Sequence, residues 1–179
     1  ELVLLLDRSL SMDQPFGKPA NAALALSGPT KAQIAQRLIA EFARRRHDDL
    51  FGLVLFSTFP LRALAFTRRQ EAIQAAVGAT ATSRALGDTD VGLGLLAAAS
   101  YFEGRPYAGS RVVVLVSDGG AQLDPATREA LVDVYARHRI SLYWLYIRSR
   151  FGPGLSINAQ ADSSADEGIP ERALHRFFR

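Results

Sequence analysis

Short apolar runs alternate with longer amphipathic stretches along the whole chain. Residues 2–6 (Leu-Val-Leu-Leu-Leu) are apolar throughout and stop at Asp7. A run this short and this uniformly apolar predicts a strand buried on both faces. Residues 50–56 and 111–116 repeat the pattern, and residues 140–147 form a further strand rich in aromatic and β-branched side chains. Residues 61–66 alternate only weakly and contain Arg62, which suits a short edge strand. Between these runs lie helices. Thr30 caps a helix over residues 31–46 with Ile34, Leu38, Ile39 and Phe42 at helical spacing. A second helix covers residues 67–77. A third, strongly apolar, opens after a polar cap near Asp90 and ends near Phe102. Pro125 starts a fourth helix that runs to Arg139, and residues 170–178 close the chain with an amphipathic helix. Gly92 and Gly94 lie inside the third helix, each costing about 1 kcal/mol relative to Ala. Close approach of this helix to a sheet accounts for them. The alternation predicts an α/β fold: a doubly wound, Rossmann-like, mostly parallel sheet of about six strands, with one short antiparallel edge strand and helices on both faces.

Composition narrows the classes. At 179 residues, 48% of them hydrophobic, the chain suits one domain with a sizeable core. No apolar run approaches the roughly 20 residues of a membrane span. The net charge of +3 comes from mixed acids and bases with no basic stripe, which argues against nucleic acid as a partner. The densest basic run, Arg44-Arg45-Arg46-His47, falls at a helix end, where it complements the helix dipole. With no cysteine, disulfides, zinc–thiolate sites and thiol catalysis are excluded. The three histidines stand far apart at helix ends or on the last helix, in no metal-ligand spacing.

Candidate chemistry concentrates where strands end. In open α/β sheets, ligands bind outside the carboxyl ends of the strands. Asp7, Ser9 and Ser11 stand there as D-x-S-x-S. In extended chain, positions i, i+2 and i+4 face one way, so one carboxylate and two hydroxyls converge. Such oxygens suit a hard cation such as Mg²⁺. Alone, the motif reads equally well as a capping turn. Two further segments add to it: Thr89 in Gly87-Asp88-Thr89, and Asp118 in Ser117-Asp118-Gly119. Asp88 and Asp90 flank the threonine and are read as caps for the helix that follows.

Taken together, D-x-S-x-S, the threonine after Gly87 and the strand-ending S-D-G resemble the metal-ion-dependent adhesion site of von Willebrand factor A domains, over the chain from the first strand to about residue 147. The resemblance implies that Ser9, Ser11 and Thr89 bind a divalent metal directly while Asp7 and Asp118 act largely through water. It also implies Mg²⁺ (or Mn²⁺ or Ca²⁺) as the cofactor, and a coordination position left for an Asp or Glu of a protein partner. Family members often carry Gly between the two serines, where this chain has Leu10, so that position is expected not to need a positive φ. The wording Leu-Leu-Leu-Asp-Arg-Ser-x-Ser-Met-Asp and the ending Ile-Pro-Glu-x-Ala-Leu-His-Arg-Phe-Phe are also similar to von Willebrand A proteins of bacterial methanol-oxidation clusters and of the membrane-anchored aerotolerance (Bat) type. That likeness implies a periplasmic, membrane-anchored setting and a part in maturing a methanol dehydrogenase. The expectation is therefore a single domain over residues 1–179, cut from a longer chain, with any anchor lying outside it and no direct membrane contact of its own.

The leading expectation is a non-catalytic, metal-dependent protein-binding module. A Mg²⁺-dependent phosphoryl-transfer hydrolase is the enzymatic alternative. It wants D-x-D after the first strand, and Ser9 stands at the second acid's position; no G-x-x-x-x-G-K-S/T loop exists either. A structural domain whose site never fills is the third. The segments 13–29 and 148–168 are expected to border the ligand edge and to set partner specificity.

Overall fold

The computed structural model describes residues 1–16, 28–80, 87–121, 123–148, 154–155 and 169–179. Five strands form one sheet: β1 (Leu2–Asp7), β2 (Phe51–Phe56), β3 (Pro60–Thr67), β4 (Arg111–Ser117) and β5 (Ile140–Tyr146), in the order β3-β2-β1-β4-β5. All neighbours are parallel except β3, which runs antiparallel to β2 along one edge. The sheet has five strands among the described residues rather than about six. Only five stretches carry a strand's apolar pattern, and the chain beyond β5 turns polar. The helices are α1 (Lys31–Arg45), α2 (Gln70–Ala79), α3 (Val91–Ala99), α4 (Pro125–His138) and α5 (Pro170–Phe178). None of the described helices is long and apolar enough to cross a membrane.

Alternation along β1 divides the core. Leu2, Leu4 and Leu6 face one side with Ala35 and Ile39 of α1 and Ile73 and Val77 of α2. Val3 and Leu5 face the other with Leu95 of α3, Leu131 of α4 and Leu174 of α5. Every β1 residue is buried, as a central parallel strand requires. A capping box starts α1: Gln33 N donates to the Thr30 hydroxyl, and Thr30 N donates to the Gln33 side chain. The core stripe of α1 is Ala32, Ala35, Ile39 and Ala43; of the residues the spacing selected, Ile39 is buried and Phe42 packs partly against the core, while the alanines take the remaining core positions. Small side chains bring the helix close to the sheet, and Leu38 is left 50% exposed. Opposite α1's first turn, Phe16 N donates to Pro29 O (2.8 Å) and Lys31 N to Gln14 O (2.9 Å), while Pro15 and Thr30 form an antiparallel bridge. Most of the 13–29 and 148–168 segments lies outside the described residues.

The two glycines of α3 answer different neighbours. A Cβ on Gly94 would lie 2.9 Å from Phe56 Cγ on β2, so this glycine does let the helix meet the sheet. A Cβ on Gly92 would instead meet Thr127 Cγ2 at 2.6 Å, so that position serves the contact with α4. Gly94→Ala is therefore expected to destabilise the fold by roughly 1–2 kcal/mol, overriding its gain in helix propensity. Chemical denaturation of the pure variant measures it.

Candidate functional site

The carboxyl end of β1 builds the first part of the site. The strand stops at Asp7 because the carboxylate turns back on its own chain: Ser9 N donates to Asp7 Oδ1 (2.8 Å). A 3₁₀ turn over Leu10–Asp13 follows, anchored by the fully buried Met12. Ser9 and Ser11 thus converge through a turn rather than by strand alternation, and their hydroxyls lie 3.0 Å apart. Leu10, between them, is 61% exposed. Among the described residues Arg139 alone of the non-glycines has a positive φ, so Leu10 is unstrained as expected.

The neighbouring strand supplies the rest. β1 and β4 run in register with Leu6 opposite Val116, so Asp7 and Ser117 fall side by side. Ser117 Oγ donates to Asp7 Oδ2 (2.6 Å), and Gly119 N donates to Ser117 Oγ (3.0 Å). Gly119 has φ +83°, and a Cβ there would strike the Trp144 ring at 2.8 Å, so the turn after Asp118 requires glycine. Ser11 Oγ donates to Asp118 Oδ1 (2.9 Å). Asp7, Ser9, Ser11 and Asp118 are therefore one hydrogen-bonded cluster at the carboxyl edge, and Asp7, Ser9 and Asp118 are buried.

Thr89 stands apart from that cluster. Its segment is pinned to the carboxyl end of β2, where Asp90 N donates to Ser57 O (2.8 Å) and Thr58 Oγ1 to Asp88 O (3.4 Å). That is the strand beside β1. Thr89 is half-buried, and among the described residues no hydrogen bond joins it to the other four. Asp90 caps α3 by accepting from Leu93 N (2.9 Å), as read from sequence, whereas Asp88 is exposed.

Two participants escaped the sequence reading. Ser117 holds the second oxygen of Asp7. Lys31, the first residue of α1, is 1% exposed, and its Nζ lies 2.5 Å from Asp118 Oδ2. A cation in the first turn of a helix opposes the helix dipole. Lys31 directly after the capping Thr30 was the available signal. Burial pushes the Asp7 carboxyl above its ordinary range; the bonds from Ser117 and Ser9 pull the other way, and the Asp118 charge adds to the rise. Among the described residues no ion pair involves Asp7. The donors are carboxylate and hydroxyl oxygens only, which fits a hard divalent cation and does not fit a soft one.

The model for the von Willebrand factor type A domain matches residues 2–121, and the chain belongs to that family. Solved structures agree in fold. BatB from Bacteroides thetaiotaomicron superposes with a TM-score of 0.68 at 16% identity, over 99% of this chain and 85% of that one. An aerotolerance-related membrane protein from Bacteroides fragilis gives 0.66 at 18% identity, over 91% and 77%. The SpRpn10 VWA domain gives 0.62 at 15% identity, over 99% and 79%. No curated protein matches the chain in sequence. Domains of this class commonly serve as protein-interaction modules.

Proposed function

We propose that this domain binds a protein partner through a divalent cation, Mg²⁺ in the first instance with Mn²⁺ or Ca²⁺ as substitutes, held by Asp7, Ser9, Ser11, Thr89 and Asp118. The observation that carries the reading is the joining of four of these five side chains in one cluster at the carboxyl edge. Asp7 supports it further, because a buried carboxylate with its pKa raised gains from an incoming positive charge. The metal would supply an open coordination position for an Asp or Glu of the partner. Ser117 and Ser9 N–H orient the Asp7 carboxylate, and the 3₁₀ turn presents Leu10 beside the site as an apolar contact. Ser9 in place of a second acid disfavours the hydrolase alternative, since no carboxylate is left to act as proton donor two residues after Asp7. From the sequence resemblance to von Willebrand A proteins of methanol-oxidation clusters and of the aerotolerance type, we further propose a periplasm-facing role in assembly or metal loading of a dehydrogenase.

Thr89 offers the cleanest test, since its hydroxyl contributes nothing to the hydrogen-bonded cluster. Thermal unfolding is followed with Mn²⁺ and acetate together, the acetate standing in for the partner's carboxylate. A ligand at 100 times its dissociation constant adds about 2.7 kcal/mol. The natural chain is expected to show that rise. Thr89→Ala is expected to lose most of it while its metal-free midpoint stays within about 0.5 kcal/mol. No rise in the natural chain at millimolar metal would overturn the reading.

A further inference from the structure

We propose that Lys31 couples metal binding to partner binding: its ammonium competes with the divalent cation for Asp118 and adds to the positive charge that an incoming carboxylate meets. The inference rests on the cation-dependent reading above. Lys31 Nζ lies 2.5 Å from Asp118 Oδ2, and the pair is buried, with side chains 1% and 3% exposed. The other oxygen of Asp118 accepts from Ser11, so the ammonium is one carboxylate away from the serine hydroxyls. A charge so placed is little screened by water or salt.

Counting the formal charges buried at this edge gives the direction of the effect. Asp7, Asp118 and Lys31 sum to −1, and a divalent cation brings the site to +1. A partner carboxylate then brings it to zero. Without Lys31 the loaded site would already be neutral and a carboxylate would leave it at −1. The lysine therefore opposes the metal alone and favours the metal together with the carboxylate. Removing it moves the two affinities in opposite directions, a result that a lysine serving only to hold α1 in place would not give.

The probes are Mn²⁺, whose free form is counted by electron paramagnetic resonance, and acetate. In the natural chain, acetate is expected to tighten Mn²⁺ binding. In Lys31→Met, Mn²⁺ alone should bind at least about tenfold more tightly, and the tightening by acetate should disappear. Lys31→Gln, which keeps a donor toward Asp118, gives the same result without the charge and serves if the methionine variant does not fold. Equal or weaker Mn²⁺ affinity in the variants overturns the role of Lys31 and leaves the metal site standing. Absence of any acetate effect in the natural chain, with Mn²⁺ bound, also overturns it. No Mn²⁺ bound by any chain, with or without acetate, overturns both readings.

Discussion

Asp118→Ala is expected to lower stability by about 3–5 kcal/mol, the cost of leaving a buried charge without its partner. For a chain of this length that corresponds to a fall in Tm of roughly 6–20 °C. The reason is Lys31. Its stem enters from the first turn of α1 and its ammonium reaches Asp118 with almost no solvent contact. Removing the carboxylate takes the buried counter-charge from the ammonium, and Ser11 loses its hydrogen bond to Asp118 as well. The double variant Lys31→Met/Asp118→Asn should recover most of the loss, because it removes both charges and keeps an acceptor for Ser11. Calorimetry on the two variants decides it. A single substitution as mild as an exposed surface change, or a double variant no better than the single, would show that the pair contributes little to the fold.

Phe56→Ala is expected to cost about 3–5 kcal/mol, as for other fully buried aromatics. Phe56 ends β2, opposite Asp7 in the β1 register, and its carbonyl accepts from Arg8 N at 2.7 Å. Its ring fills the space that Gly94 leaves, so it fixes how α3 approaches the sheet and hence where the Thr89 segment lies. Coupling between the two positions follows. In the Phe56→Ala background, Gly94→Ala should become neutral or stabilising, since the clash at 2.9 Å is gone and the helix propensity remains. Denaturant titrations of the two singles and the double close the cycle. Additive losses would mean that the ring does not set the helix position.

Much of this architecture was legible because burial on both faces leaves a plain mark. β1, β2 and β4 are near-continuous apolar runs, and α1, α3 and α4 carry readable starts in Thr30, Asp90 and Pro125. α1 was less legible in detail. Its spacing points to Ile34, Leu38, Ile39 and Phe42; Ile39 is buried, but Leu38 is half exposed and close packing gives the other core positions to alanines, because distance to the sheet as well as hydrophobicity decides which side chains fit. In the site, Asp7, Ser9, Ser11 and Asp118 could be read from spacing because strand ends gather at one edge. Their convergence depends on an Asp7 turn and a 3₁₀ turn, which extended-chain alternation does not describe. Lys31 was not legible as a site residue. Only three dimensions bring the start of α1 to the end of β4, 87 residues later in the chain. That contact also changes what a mutation at the site can be used for. Asp7 and Asp118 serve the fold and the candidate site together, so their substitution confounds the two, while Thr89 separates them.

The bridge between Pro15 and Thr30, with its flanking hydrogen bonds from Phe16 and Lys31, acts as a clasp. It holds Phe16 and Pro29 side by side, at a fixed place relative to β1 and α1. Loop closure is forgiving of length, at about 0.6 kcal/mol per doubling. The clasp is therefore expected to let foreign sequence be grafted between Phe16 and Gly28 while β1, the 3₁₀ turn and the first turn of α1 keep their places. Diversity at this one position can change what the domain meets without rebuilding how the domain stands.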